Sequence, residues 1–196
     1  MATEKKGQLE GEAPCTIEEL EAIITAQTGG LFLEPSAAYD EILPGLYLGD
    51  GETAQKRALL RDLGVTHVLN AALGKSNFHV NTNHDMYRKR NMSFLGVEAT
   101  DFMNFNMTPF FQQAAAFIEE GLHSGKVLVH CVQGMSRAAT LTIAYLMLKR
   151  HMTLQDATRL VREKREICPN QGFLLQLCKL DQSLRTAGHY QSEHVL

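Results

Sequence analysis

Residues 126 to 148 constrain this chain more than any other stretch. Lys126-Val127-Leu128-Val129 is a short, β-branched apolar run, which predicts a buried parallel strand. Ala138 to Leu148 is apolar almost all round and too long for one strand, which predicts a buried helix. Between them lies His130-Cys-Val-Gln-Gly-Met-Ser-Arg137. A strand that ends in a tight loop and opens a helix aims several backbone N–H groups at one spot. The helix dipole adds partial positive charge there, so the loop predicts a cradle for a tetrahedral dianion. Gly134 lets the backbone curl without a Cβ clash. Arg137 brings a planar fork matched to two phosphate oxygens. Cys131 sits at the base of the cradle, where the same positive field favours the nucleophilic thiolate over the thiol. A thiolate held against a bound phosphoryl group points to phosphomonoester hydrolysis.

A cysteine and an arginine six positions apart mean little alone. Fixing His, Cys, Gly and Arg together is far rarer, about once in several thousand chains of this length at ordinary residue usage. The strand–loop–helix context gives those residues a mechanism, and the alternative of a buried cysteine on a sheet edge explains neither Gly134 nor Arg137.

The chain has 196 residues, 44% of them hydrophobic and 21% charged, which suits one domain with a full core. Its net charge of −3 offers no bulk attraction for nucleic acid or an anionic membrane. No apolar run approaches the roughly 18 residues of a membrane span, and the first 30 residues contain no signal-peptide core. The start Met-Ala-Thr lacks the glycine needed for myristoylation. Cys15, Cys131, Cys168 and Cys178 lack metal-ligand spacing, so they are expected as reduced thiols in the cytoplasm or nucleus, with no metal and no cofactor.

Residues 1–14 are polar and expected to be disordered, residues 15–186 to form the catalytic domain, and residues 187–196 a C-terminal tail. Thr16 to Glu19 is a capping box opening an amphipathic helix over about 17–27, ended by Gly29-Gly30. Leu46 to Gly49 reads as a brief strand, Glu52 to Leu63 as a helix closed by Gly64, and Val65 to Asn70 as a strand. His67 within it reads as a core histidine. Residues 73–90 form a polar loop, and Met92 to Val97 another strand. Thr108 with Pro109 predicts a capped helix over 109–123. The strand 126–130, the helix 136–150, a helix capped by Thr153 and a helix over about 171–184 complete the chain. Alternating strands and helices with short loops predict a single α/β domain, a mostly parallel twisted sheet of about five strands flanked by helices. Ligands in such folds bind at the carboxyl ends of strands, where Cys131 lies.

The leaving oxygen of a phosphoester needs a proton. From chemistry alone Asp101, Glu98 and Asp85 all compete as the general acid. Asp101 follows a strand in the segment Glu98 to Asn106, which brings it toward the same sheet edge as Cys131. His130, beside the nucleophile, either tunes the loop by hydrogen bonding or packs as a strand-end residue. Arg165 belongs to a basic run with Arg159, Arg162 and Lys164 that reads as a solvated helix face. Cys168 and Cys178 read as core or near-core thiols.

The segments Gly64 to Ala72, His79 to Asn83, Val127 to Arg137 and Arg162 to Leu174 resemble the small atypical dual-specificity phosphatases of the VHR kind, in the cysteine-based tyrosine phosphatase superfamily. The resemblance covers roughly residues 30–186. It implies Asp101 as the general acid, Cys131 as the nucleophile and Arg137 with the loop Val132, Gln133, Gly134, Met135 and Ser136 as the phosphate binder. It further implies Arg165 as the reader of a second substrate phosphate and Asn170 as a support for the cysteine's loop. The implied partners are phosphorylated proteins, MAP kinases among them, and the implied state is a monomer or weak dimer. Two positions depart from the family pattern. Ala138 stands where the family has a hydroxyl that stabilises the departing thiolate. Asn77, with Phe78 beside it, stands where the family has an aromatic at the pocket rim. The neutral Val132 and Gln133 disfavour a phosphoinositide, glycan or RNA phosphatase, because polyanion-directed relatives carry lysines in this loop. A phosphate-reading binder with little turnover fits Ala138 but not an intact Cys131.

Overall fold

In β5 (Lys126–His130) Val127 and Val129 enter one hydrophobic core while Leu128 between them enters another, as the two-residue period of a strand requires. That alternation makes a central strand covered on both faces. The molecule, a computed structural model that describes residues 15–89 and 91–191, is built around it. The sheet runs β1 (Tyr39–Leu43), β2 (Leu46–Gly49), β5, β3 (Val65–Asn70), β4 (Ser93–Gly96), with β1 antiparallel at one edge and the other pairings parallel. The expectation of a single α/β domain with a mostly parallel five-stranded sheet holds. The edge strand β1 carries too few apolar residues to announce itself, and Glu41 interrupts its pattern.

The larger core gathers α1 (Ile17–Thr25), α5 (Phe111–Ser124), α6 (Arg137–Arg150), α7 (Leu154–Lys164) and α8 (Gln171–Thr186). The smaller core, with Ala54, Leu60 and Tyr87, is covered by α2 (Gly51–Gln55), α3 (Arg57–Leu63) and α4 (His84–Arg88). α6 is buried continuously from Arg137 to Leu148. Its two threonines survive there because each hydroxyl donates to the carbonyl four residues earlier, Thr140 to Ser136 O at 2.8 Å and Thr142 to Ala138 O at 2.9 Å. No described helix is long and apolar enough to cross a membrane.

Local expectations fare unevenly. Thr16 and Thr153 cap α1 and α7 as expected, accepting from Glu19 N at 3.2 Å and Asp156 N at 3.2 Å. α1 tightens into a 3₁₀ turn at Ala26–Thr28, which ends on Gly29 at φ +66°. The single helix expected over 52–63 is two, broken at Lys56, whose N–H folds back to Thr53 O. The strand expected from Met92 to Val97 is confined to Ser93–Gly96, and the polar loop 73–90 contains α4, capped by Asn83. Thr108 does not cap the next helix. Residues Thr108–Phe110 form a 3₁₀ turn, and the Thr108 hydroxyl turns to Gln176 at 3.3 Å. The expected tail also begins with order, since His189 Nε2 meets Met147 O at 3.0 Å and the Tyr190 hydroxyl donates to Asp181 at 3.0 Å. The expectation of disorder over 1–14 lies outside the described residues, as do residues 192–196 of the expected tail.

Candidate active site

β5 ends at His130 and α6 begins at Arg137, so residues 131 to 136 form the connecting loop at the carboxyl end of the central strand. Every carbonyl of that loop is taken by a donor. His130 Nδ1 meets Cys131 O at 3.2 Å, and Gly51 N–H donates to Val132 O at 2.9 Å. Arg165 donates to Gln133 O at 2.9 Å and Gly134 O at 3.0 Å. Cys168 N–H donates to Met135 O at 2.9 Å, and Thr140 N–H to Ser136 O at 2.8 Å. In a planar trans peptide the C=O and the following N–H point in opposite directions. Carbonyls held from outside therefore leave the amides facing inward, as Gly134 N–H does at 3.2 Å from Cys131 Sγ. Gly134 sits at φ +73°, and a Cβ on it would overlap the Gly49 carbonyl, so both backbone conformation and space demand glycine.

Around the sulfur lies a pocket of about 230 Å³, lined by Asp101, Val132, Gln133, Met135, Ser136, Arg137 and Cys168 together with Cys131. It suits a phosphoryl group and little more. A larger apolar groove of about 550 Å³ between α1 and α7 contains no nucleophile. Arg137 is 4% exposed; its Nη1 donates to Phe78 O at 2.9 Å and Ala99 O at 3.1 Å. Its Nε lies 3.3 Å from Asp101 Oδ2, close enough for ionic attraction but without an aligned hydrogen bond. Asp101 Oδ1 accepts from the Ser136 hydroxyl and from Asn170 Nδ2, both at 2.8 Å. Three expected residues, Cys131, Arg137 and Asp101, thus face one pocket. Glu98 lines a different cavity with Thr100 and His84, and Asp85 pairs with Arg88 on the exposed face of α4.

The remaining expected residues separate. His130 is fully buried, and burial pushes its pKa down to about 4, with the bond to Cys131 O and the Asp50 charge opposing weakly. It is therefore neutral, with the proton assigned to Nδ1 by the carbonyl it faces. Asn170 caps α8 through Phe173 N at 3.0 Å while holding Asp101, and its N–H lies 3.4 Å from Ser136 Oγ. It supports Asp101 more directly than Cys131. Ala138 is buried with no donor to offer the sulfur, and the Ser136 hydroxyl is spent on Asp101. Asn77 and Phe78 are exposed, and neither side chain lines the pocket; Phe78 contributes its carbonyl to Arg137 instead.

Arg165 corrects the solvated-face reading. It is 2% exposed, so it is no solvated helix face, and its donors go to Gln133 O, Gly134 O, Ala37 O and Asp40. The cavity it lines, about 160 Å³, also presents Glu34 and Asp50, which would repel a second phosphate. The basic run misled because α7 ends at Lys164 and Arg165 is already extended, turned under the loop rather than outward. Cys168 was missed as a pocket residue; it is half-buried, and burial with the nearby Asp101 charge pushes its thiol pKa up. Nothing in Ile167-Cys168-Pro169 signals that position.

Residues 46–183 match the family model described as dual specificity phosphatase, catalytic domain. Human dual specificity protein phosphatase 26 is 49% identical over 148 residues, covering 74% of this chain and 68% of that protein. Among solved structures, human DUSP28 superposes with a TM-score of 0.67 at 26% identity, covering 78% of this chain and 99% of that one. A mouse putative dual specificity phosphatase, solved in complex with zinc tungstate, gives 0.66 at 26% identity over 81% and 96%.

Proposed function

The chain belongs to the dual-specificity phosphatases, and from that premise we propose that Cys131, Arg137 and Asp101 carry the reaction through a cysteinyl-phosphate intermediate. The protein is a phosphatase of phosphotyrosine and phosphoserine or phosphothreonine in proteins. The observation that carries the residue assignment is the inward-facing amide cradle, with Sγ at its base and Asp101 on the pocket wall. In the first step the thiolate attacks phosphorus, the bond to the leaving oxygen breaks, and Asp101 gives that oxygen its proton. The amides of residues 132–137 and the Arg137 fork stabilise the equatorial oxygens. In the second step water attacks phosphorus, the Asp101 carboxylate takes a proton from it, and the P–S bond breaks to return the thiolate. No step needs a metal or cofactor. The tungstate in the mouse relative's crystal is a tetrahedral oxyanion, the class of ligand that this cradle fits.

The substrates are phosphorylated proteins; MAP kinases, action in the cytoplasm or nucleus, and a monomer or weak dimer are the finer reading that the resemblance supports. Rapid quenching during turnover, followed by peptide mapping, is expected to find acid-stable phosphate on Cys131. Cys131→Ser is expected to bind tungstate yet lose all but a few per cent of turnover, because a hydroxyl is not ionised by this field. Phosphate on another residue, or turnover surviving in Cys131→Ser, overturns the assignment.

A further inference from the structure

Among the described residues, the apex of the phosphate loop has no backbone partner on its outer side. Cys131 O is bound by the His130 ring at the end of β5, and Val132 O, Met135 O and Ser136 O by backbone N–H groups of Gly51, Cys168 and Thr140. The two carbonyls between them, of Gln133 and Gly134, are both taken by one side chain, Arg165, which lies 32 and 31 residues further along the chain. Nη2 takes the first and Nε the second, so a single planar fork spans two consecutive peptide units. Each carbonyl it holds turns the next amide inward. Those amides belong to Gly134, which meets Cys131 Sγ at 3.2 Å, and Met135, whose residue lines the pocket. A carbonyl bound to a cation also polarises its own peptide, which strengthens the N–H on the far side.

The guanidinium is itself held. Nη1 donates to Ala37 O at 2.9 Å and to Asp40 Oδ2 at 2.6 Å, at the start of β1. The Arg165 side chain is 1% exposed and that of Asp40 27%, so the pair is anchored from the edge strand and screened mainly on the Asp40 side. We propose that Arg165 and Asp40 form a positioning pair for the phosphate loop. Arg165 aims two of its amides, and Asp40 sets the guanidinium's place while offsetting part of its charge. Neither touches substrate. The inference rests on Cys131 and its loop being the site of reaction.

The two halves of the pair predict opposite signs. Arg165→Lys keeps the charge but cannot fork to both carbonyls. It is expected to weaken inhibition by tungstate roughly tenfold and to slow iodoacetamide alkylation of Cys131 by a similar factor. Asp40→Asn keeps an acceptor for Nη1 but leaves the guanidinium charge uncompensated, and is expected to tighten tungstate inhibition about threefold. Circular dichroism checks that each full-length variant is folded. A folded Arg165→Lys with wild-type inhibition and alkylation overturns the proposal. So does an Asp40→Asn that weakens inhibition, since a purely structural pair would lose function from either side. If Arg165→Lys does not fold, the sign of the Asp40→Asn effect decides. A third contrary result is a rise in KM confined to doubly phosphorylated peptides, which would return Arg165 to substrate reading. Turnover surviving in Cys131→Ser would instead overturn the catalytic reading, leaving the two failures distinct.

Discussion

The loop from Cys131 to Ser136 and the segment from Asp101 to Met107 line or border the same pocket, yet they are fixed by different means. The first is defined by its backbone, with each carbonyl engaged, Gly134 at positive φ and Cys131 2% exposed. The second begins as an exposed run, with Phe102 and Met103 each 63% exposed, and is buried only at Met107. Side chains of α8 and its N-cap hold it from outside. Asn170 reaches Asp101, while Gln176 accepts from Met107 N at 2.6 Å and donates to Phe105 O at 2.9 Å. A Cβ on Gly172 would overlap the Met103 carbonyl, so the segment lies directly on the helix backbone. The cradle is preorganised at every carbonyl, by backbone amides and by the buried side chains of His130 and Arg165, and Asp101 is held by a lighter scaffold. In the nucleophile's loop, changes should therefore affect every substrate. In the acid's segment they should affect the substrates that need a proton.

The strongest test of that contrast is Asp101→Ala. General acid catalysis contributes ~10²–10⁴-fold, and an activated phenolate needs little protonation. Loss of rate should fall in that range for alkyl phosphates such as phosphoserine peptides, and be far smaller for an activated aryl phosphate. Equal losses on both would mean that the segment is structural and the proton comes from elsewhere.

Acid should attack the cradle side first. His130 titrates at about 4 in the folded protein against an ordinary 6.5. As pH falls through 6.5 the unfolded chain gains a proton that the folded chain refuses until about 4, so stability is lost across that window. At about 1.4 kcal/mol per pH unit this amounts to about 3 kcal/mol by pH 4. His67, lowered mainly by burial, acts in the same direction. Urea unfolding across this range should show the decline, and His130→Asn should flatten it by about one proton. An unchanged slope in that variant would remove His130 from the account. The segment from Asp101 to Met107 contains no histidine.

Ala138 sharpens the comparison within the cradle. Gly134 N–H is the donor to Sγ among the described residues, while the Ser136 hydroxyl serves Asp101. A lost charge-assisted hydrogen bond is worth ~1.5–3 kcal/mol, roughly ten- to a hundred-fold in rate. Breakdown of the phosphoenzyme should therefore limit kcat and give a burst of released phenol in rapid mixing. Ala138→Ser should raise kcat with kcat/KM nearly unchanged; no burst and no gain would show that water already supplies the bond.

The smallest effect belongs to Asn170→Ala. It removes a helix cap worth about 1 kcal/mol of stability and a hydrogen bond to the carboxylate worth ~1.5 kcal/mol, the low end for a charged acceptor. A loss near tenfold is expected, with the same preference for poor leaving groups as Asp101→Ala. A uniform loss across substrates would place Asn170 with the cradle instead.

What the sequence determined by itself follows from short-range physics. Strand β5, the glycine at positive φ and the helix that opens at Arg137 lie within about twenty consecutive residues, and their periodicity and turn chemistry declare a cradle, its thiol and its arginine. The α/β class was legible for the same reason, because alternating strands and helices each carry their own pattern. Asp101 was readable only as one of three carboxylates until the resemblance chose it, since nothing local ties residue 101 to residue 131. Tertiary structure alone decided the rest. It turned Arg165 from a surface cation into a buried clamp on Gln133 and Gly134, brought Cys168 to the pocket wall, and set Asn170 on the acid. Each of those roles is a contact between residues more than thirty positions apart, and a side chain's partner at that range is fixed by how the helices pack rather than by its neighbours in the chain.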